Sequence, residues 1–155
     1  MTAPRAWLAE PHEADDVARL LIGFRDFYGR SEPPDASFHE GVRRLIVRDD
    51  TEYLLASADR EPAGVCQLRY RYGLWMAAED CWLEDLFVRE EDRGLGLGEA
   101  LVRKAIKRAR ERGCGRVELD VSESNRAAWA LYERMGFSPG YKPPAPNVLM
   151  GLRLR

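Results

Sequence analysis

The stretch from Leu83 to Leu101 constrains this chain more than any other. It begins Leu83-Glu84-Asp85-Leu86-Phe87-Val88, passes through a short acidic turn, and continues Arg93-Gly94-Leu95-Gly96-Leu97-Gly98-Glu99-Ala100-Leu101. The pattern predicts a strand, a glycine-rich loop and the start of a helix. Glycines at alternate positions carry no Cβ, so the backbone can approach a ligand closely. The free amides and positive dipole end of the following helix point into the same loop and suit a phosphate or pyrophosphate.

The commoner phosphate loops do not match. A dinucleotide fingerprint, Gly-x-Gly-x-x-Gly, would need glycine where Glu99 or Leu101 stands, although Asp120 could imitate its acidic ribose ligand. A P-loop would need Lys-Ser/Thr after Gly98, and Glu99 follows instead. A glycine-rich turn without a ligand is the plain alternative.

A chain of 155 residues suffices for one domain, 1–155, with a single sizeable core. A composition of 45% hydrophobic and 32% charged residues is that of an ordinary soluble globular protein. The formal net charge of −2 argues against general affinity for nucleic acid or acidic membranes, and is compatible with a cationic substrate. Residues 1–11 lack a charged-then-apolar signal and no apolar run reaches the length of a membrane span, so the expected location is the cytoplasm. Cys66, Cys81 and Cys114 have neither metal-site nor disulfide spacing. With only His12 and His39 present, no metal site or serine triad is expected, and both histidines read as surface residues.

Along the chain, a strand is expected over 5–9. A helix follows on Val17, Leu20, Leu21 and Phe24, with Glu13, Asp15 and Asp16 in its first turn and its end near Phe27-Tyr28-Gly29. Residues 30–36 read as a loop. Ser37-Phe38-His39-Glu40 reads as a capping box opening a second helix, with Val42, Leu45 and Ile46 inward. Strands over 53–58, 66–72 and 81–88, with a loop over 73–80, suggest an antiparallel meander. The helix after the glycine loop buries Leu101, Val102, Ala105, Ile106 and Ala109. Its basic side reads as a solvated face in preference to a nucleic-acid site. A strand over 116–121 then returns parallel to the central strand. A helix over 126–135 capped by Ser122-Glu123-Ser124-Asn125, a proline-rich loop over 139–146 and a last strand over 148–154 complete the order.

The pattern Arg93-x-x-Gly96-x-Gly98 resembles the Arg/Gln-x-x-Gly-x-Gly/Ala signature of the GNAT acyl-CoA N-acetyltransferases, and the resemblance runs from about Trp82 to Phe137. The run Trp82-Leu83-Glu84-Asp85-Leu86-Phe87-Val88 most resembles the diamine (spermidine/spermine) acetyltransferase branch. The resemblance implies an α/β fold: a mixed central sheet with antiparallel N-terminal strands and helices on both faces. It also implies acetyl-CoA as co-substrate, a small amine as acceptor, and a homodimer.

An alkyl ammonium titrates near ~10.4, so an amine arrives protonated and needs a proton acceptor before it can attack a thioester. By resemblance Glu84 is that residue, directly or through water. An ion pair with Arg69 or Arg71 is its structural alternative. Glu84 and Asp85 should point to opposite faces of a strand unless a bulge intervenes; Asp85 could assist. By resemblance, the backbone of Leu86, Phe87 and Val88 binds the pantetheine arm and the acetyl carbonyl, and Arg93, Gly94, Leu95, Gly96, Leu97, Gly98 and Glu99 hold the pyrophosphate. Asn125 anchors the coenzyme arm and Tyr132 protonates the departing thiolate. Read alone, Asn125 is a helix cap and Tyr132 a core aromatic. Acceptor contacts are sought at Phe27, Tyr28, Glu32 and Asp35, at Asp85, and at Glu118 and Asp120. A covalent acetyl-cysteine route would need an activated thiol, and direct transfer is favoured. Other amine acceptors are an aminoglycoside, an amino acid or a protein amine. A non-catalytic acyl-CoA-binding module is the alternative of a different class.

Overall fold

Alternation along the strands divides the apolar side chains between two faces, and helices cover both. The computed structural model describes residues 2–139 and 148–155, which form two compact units, Met1–Asp120 and Val121–Arg155. The first unit holds a five-stranded sheet of β1 (Arg5–Leu8), β2 (Thr51–Ser57), β3 (Gly64–Gly73), β4 (Ala78–Val88) and β5 (Arg116–Glu118), in that spatial order. The first four strands are an antiparallel meander, and β5 is parallel to β4. Three helices complete the unit: α1 (Ala14–Phe27), α2 (Asp35–Leu45) and α3 (Leu97–Glu111).

Leu54, Cys66, Leu68 and Leu83 pack on one face against Leu97, Leu101 and Ala105 of α3. Tyr53, Leu55, Val65 and Phe87 pack on the other against Val17 and Leu21 of α1 and Val42 of α2. The basic side of α3 is largely committed to ion pairs: Arg103 with Glu99 at 2.7 Å, Arg108 with Glu52 at 2.6 Å and Arg112 with Glu79 at 3.0 Å.

Several boundaries move. α2 starts at Asp35, with Pro34 in the cap position and no side-chain cap, so the Ser37 box lies inside the first turns. The ring of Pro34 holds φ at −67°, where a helix can begin without a capping side chain. β4 starts at Ala78 because Gly73 pairs with it, which shrinks the expected loop to residues 74–77. β5 ends at Glu118 instead of continuing to Val121.

In the second unit, α4 (Arg126–Arg134) is capped by Asn125, whose Oδ1 accepts from the Ala128 amide at 3.3 Å. Gly136, at φ 96°, ends it. The strand expected over 148–154 is absent: those residues have no regular structure, and Leu149, Met150, Leu152 and Leu154 are exposed. Apolar and β-prone residues become a strand only where a neighbouring edge takes their hydrogen bonds. The proline-rich loop lies, beyond Pro139, outside the described residues.

Candidate active site

Pairing between β3 and β4 breaks once. Gln67 faces Asp85 and Leu68 faces Leu83, so Glu84 has no residue opposite it. This is a β-bulge. Its effect is visible in the packing. Cys81 and Leu83 before it, and Leu86 and Val88 after it, all pack toward α3. The step from Leu83 to Leu86 spans three residues where an unbroken strand keeps a period of two. The bulge therefore removes the conflict that strict alternation imposes on the two carboxylates. Asp85 lines a cavity on the α1/α2 face. Oε2 of Glu84 lies 3.8 Å from Nη1 of Arg69, and the neighbours of Arg69 on β3, Leu68 and Tyr70, both point to α3.

The cavity measures about 520 Å³. Leu21 and Phe24 of α1, with Tyr28 just beyond its end, form one wall, and Phe38, Gly41 and Val42 of α2 another. Tyr53, Gln67 and Asp85 form the floor, and Arg25, Arg30 and Glu32 stand where α1 runs into the following loop. The carboxyl of Asp85 is pushed up to about 6, first by burial and then by the like charges of Glu84 and Asp120. Burial and the charge of Asp85 also hold the Tyr53 hydroxyl above its ordinary range.

An aromatic cluster links this cavity to the glycine loop. Phe24 stacks on Phe87 with centroids 5.3 Å apart, and Phe27 lies 6.3 Å from Phe87. The guanidinium of Arg93 sits 4.4 Å from the Phe27 ring centroid and donates from Nε to the Val88 carbonyl at 3.1 Å. Gly94 and Gly96 adopt left-handed φ values of 79° and 86°. Space over Gly94 is open, whereas a Cβ on Gly96 would lie 3.2 Å from Cγ of Pro4. Leu95 is half-buried, Leu97 is buried under the first turn of α3, and Gly98 and Glu99 follow within that turn. The loop and helix start carry no side chain at Gly94, Gly96 and Gly98 and lead into the N-terminus of α3, which suits a pyrophosphate.

β4 has a further property. It pairs with β5 only from Asp80 to Trp82, so over residues 83–88 that edge carries no strand among the described residues. The main-chain groups of Leu86, Phe87 and Val88 on this edge lie immediately before the glycine loop.

The remaining expected residues separate. Tyr28 and Glu32 line the cavity; Phe27 lies under Arg93 instead, and Asp35 is bound to Arg25 at 2.8 Å. Glu118 pairs with Arg116 at 3.1 Å, while the charge of Asp120 reaches Asp85. Asn125 and Tyr132 belong to the second unit, where Tyr132 is buried edge-on against Phe137. Cys66 and Cys81 are buried toward α3, and burial pushes the Cys81 thiol up to about 12. Neither is an activated nucleophile. Sequence reasoning missed Tyr53, Gln67, Phe38 and Gly41 as lining residues. Phe24 and Val42 were legible only as inward helical positions.

The fold is a mixed α/β sheet covered by helices on both faces. The same fold occurs in a crystal structure of a probable acetyltransferase, at 26% identity and TM-score 0.83, covering 96% of this chain and 99% of that one. The chain belongs to the acetyltransferase (GNAT) family, whose profile matches residues 15–137. It is 32% identical over 106 residues to a provisionally named ribosomal protein bS18-alanine N-acetyltransferase of Bacillus subtilis (strain 168), covering 68% of this chain. It is 32% identical over 127 residues to a thialysine N-epsilon-acetyltransferase of Caenorhabditis elegans, covering 82% of this chain and 78% of that protein. The chain spans 64% of the length of the Bacillus relative.

Proposed function

We propose that this chain is an acetyl-CoA-dependent N-acetyltransferase acting on a primary amine by direct attack. The observation that carries the reading is the cavity floored by Asp85, next to the bulge at Glu84, on the strand that leads into the glycine loop. Glu84 and Asp85 hold the incoming ammonium and take its proton. Asp85, with its carboxyl near 6, is ionised at neutral pH yet a stronger base than an ordinary carboxylate. Glu84 is more exposed and passes the proton to water. Arg93 to Glu99 hold the pyrophosphate, and the unpaired edge of Leu86 to Val88 orients the pantetheine arm and the acyl carbonyl. Asn125 and Tyr132 serve the coenzyme arm and the departing sulfur. The co-substrate supplies the thioester: the amine nitrogen bonds to its carbonyl carbon, the C–S bond breaks, and the thiolate is protonated.

The Leu83–Val88 run favours a small diamine or polyamine as acceptor, and the name of the thialysine relative is consistent with a side-chain amine. A homodimer in the cytoplasm is the setting that accompanies this reading.

The test is CoA release by the purified protein over a panel of primary amines. Amine-dependent release is expected, with Glu84→Gln lowering the rate most near neutral pH and recovering in part at higher pH, where more amine is already neutral. Acetyl-CoA binding without release for any amine would make the chain a non-catalytic binding module.

A further inference from the structure

The cavity walls carry information about the acceptor that the catalytic carboxylates do not. Between Asp85 on the floor and the charged residues where α1 runs into the following loop, the lining is mainly Leu21, Phe24, Phe38, Val42 and Leu45, with Tyr28, Ser37 and Tyr53 as neutral polar members. Among the described residues, no carboxylate lines that path. A polyamine carries its next cation a short alkyl spacer from the first, and here that cation would rest among hydrocarbon and rings. An unpaired buried ammonium is strongly disfavoured. The other lining carboxylate, Glu32, is exposed and shares its loop with Arg30. Gln67, beside Asp85 in the floor, is neutral and can accept only a hydrogen bond from the same ammonium.

We propose that the acceptor carries one ammonium on an aromatic or branched aliphatic body, and not the serial cations of a polyamine. The proposal rests on the N-acetyltransferase reading, and the cavity lining sets it against the diamine or polyamine acceptor that the Leu83–Val88 run alone favours. The ammonium meets Asp85 and Gln67, while the body lies against Phe24, Phe38 and Val42, where ring faces and methyl groups replace water. A cavity of about 520 Å³ is within the ordinary size for burying a small organic molecule. Gly41 sets the depth of the α2 wall: a Cβ there meets nothing within 4 Å, and its backbone is ordinary helix.

The experiment compares kcat/KM for phenethylamine, propylamine, putrescine and spermidine, in the parent and in Gly41→Leu. Phenethylamine is expected to exceed spermidine by about tenfold or more, the scale on which pocket contacts discriminate. Gly41→Leu improves helix propensity, so the fold is retained. It is expected to raise KM for phenethylamine about tenfold and to lower kcat/KM for propylamine by a smaller factor. Spermidine or putrescine as the better substrate, or equal effects of Gly41→Leu on all amines, would overturn the substrate class and leave the transferase reading standing. Absence of turnover with every amine, despite acetyl-CoA binding, would overturn both.

Discussion

On the proposed mechanism, Asp85 carries much of the proton chemistry in one side chain. Its carboxyl near 6 means that the charged form is penalised by burial and by Glu84 and Asp120. Because the folded value is raised above the unfolded ~3.9, the associated stability is fully present below about pH 4 and is lost as pH rises through about 6. Asp85→Asn stays neutral throughout, so it should match the parent near pH 4 and exceed it in stability near pH 8. A shift of about two pH units would correspond to ~3 kcal/mol for a fully buried group, and partial exposure reduces the expected gain to ~1–2 kcal/mol. Urea unfolding at the two pH values measures it. Activity should move the opposite way. In the parent, kcat/KM falls below about pH 6 as the base is protonated, and Asp85→Asn should lose both that limb and ~10²-fold or more of its rate. An unchanged pH profile in Asp85→Asn would assign the base elsewhere.

At the scale of elements, the glycine loop and α3 act together. Gly96 is left-handed and its missing Cβ faces Pro4, so Gly96→Ala combines backbone strain of roughly 1–2 kcal/mol with a tight contact. Reduced stability of that size is expected, together with acetyl-CoA affinity weakened about tenfold or more in calorimetry. Gly94→Ala, strained but with open space above it, separates the two effects. Weakened stability with unchanged affinity for acetyl-CoA in both variants would show that the loop is only a turn. Much of this element is legible in the sequence, because alternate glycines ahead of a helical period mark a turn that needs left-handed residues before the helix starts. The Glu84 bulge is not. Two adjacent acids in a strand-like run carry no register information, and only the pairing of Gln67 and Leu68 reveals the extra residue. Nor is the cavity legible: Phe24 and Val42 have the same inward spacing whether their neighbours fill the space or leave it open. Ser37 misleads for a related reason, since a capping sequence signals a helix start only where no proline upstream has already begun it.

At the scale of the whole molecule, the sheet puts close aliphatic packing on one face and the candidate site on the other. The α3 face is closed by aliphatic packing and holds Cys66 and Cys81 with raised thiols. The α1/α2 face keeps a cavity above Asp85 and an aromatic bridge to Arg93. Acyl transfer on this plan needs no protein nucleophile. That claim meets its most direct test in a single turnover with acetyl-labelled acetyl-CoA and an accepted amine, quenched over time and analysed for label. Direct attack predicts that label leaves the co-substrate and enters the amine in step with CoA release, with none on the protein at any time. Label passing first through the protein, or CoA released without acetylated amine, would contradict it.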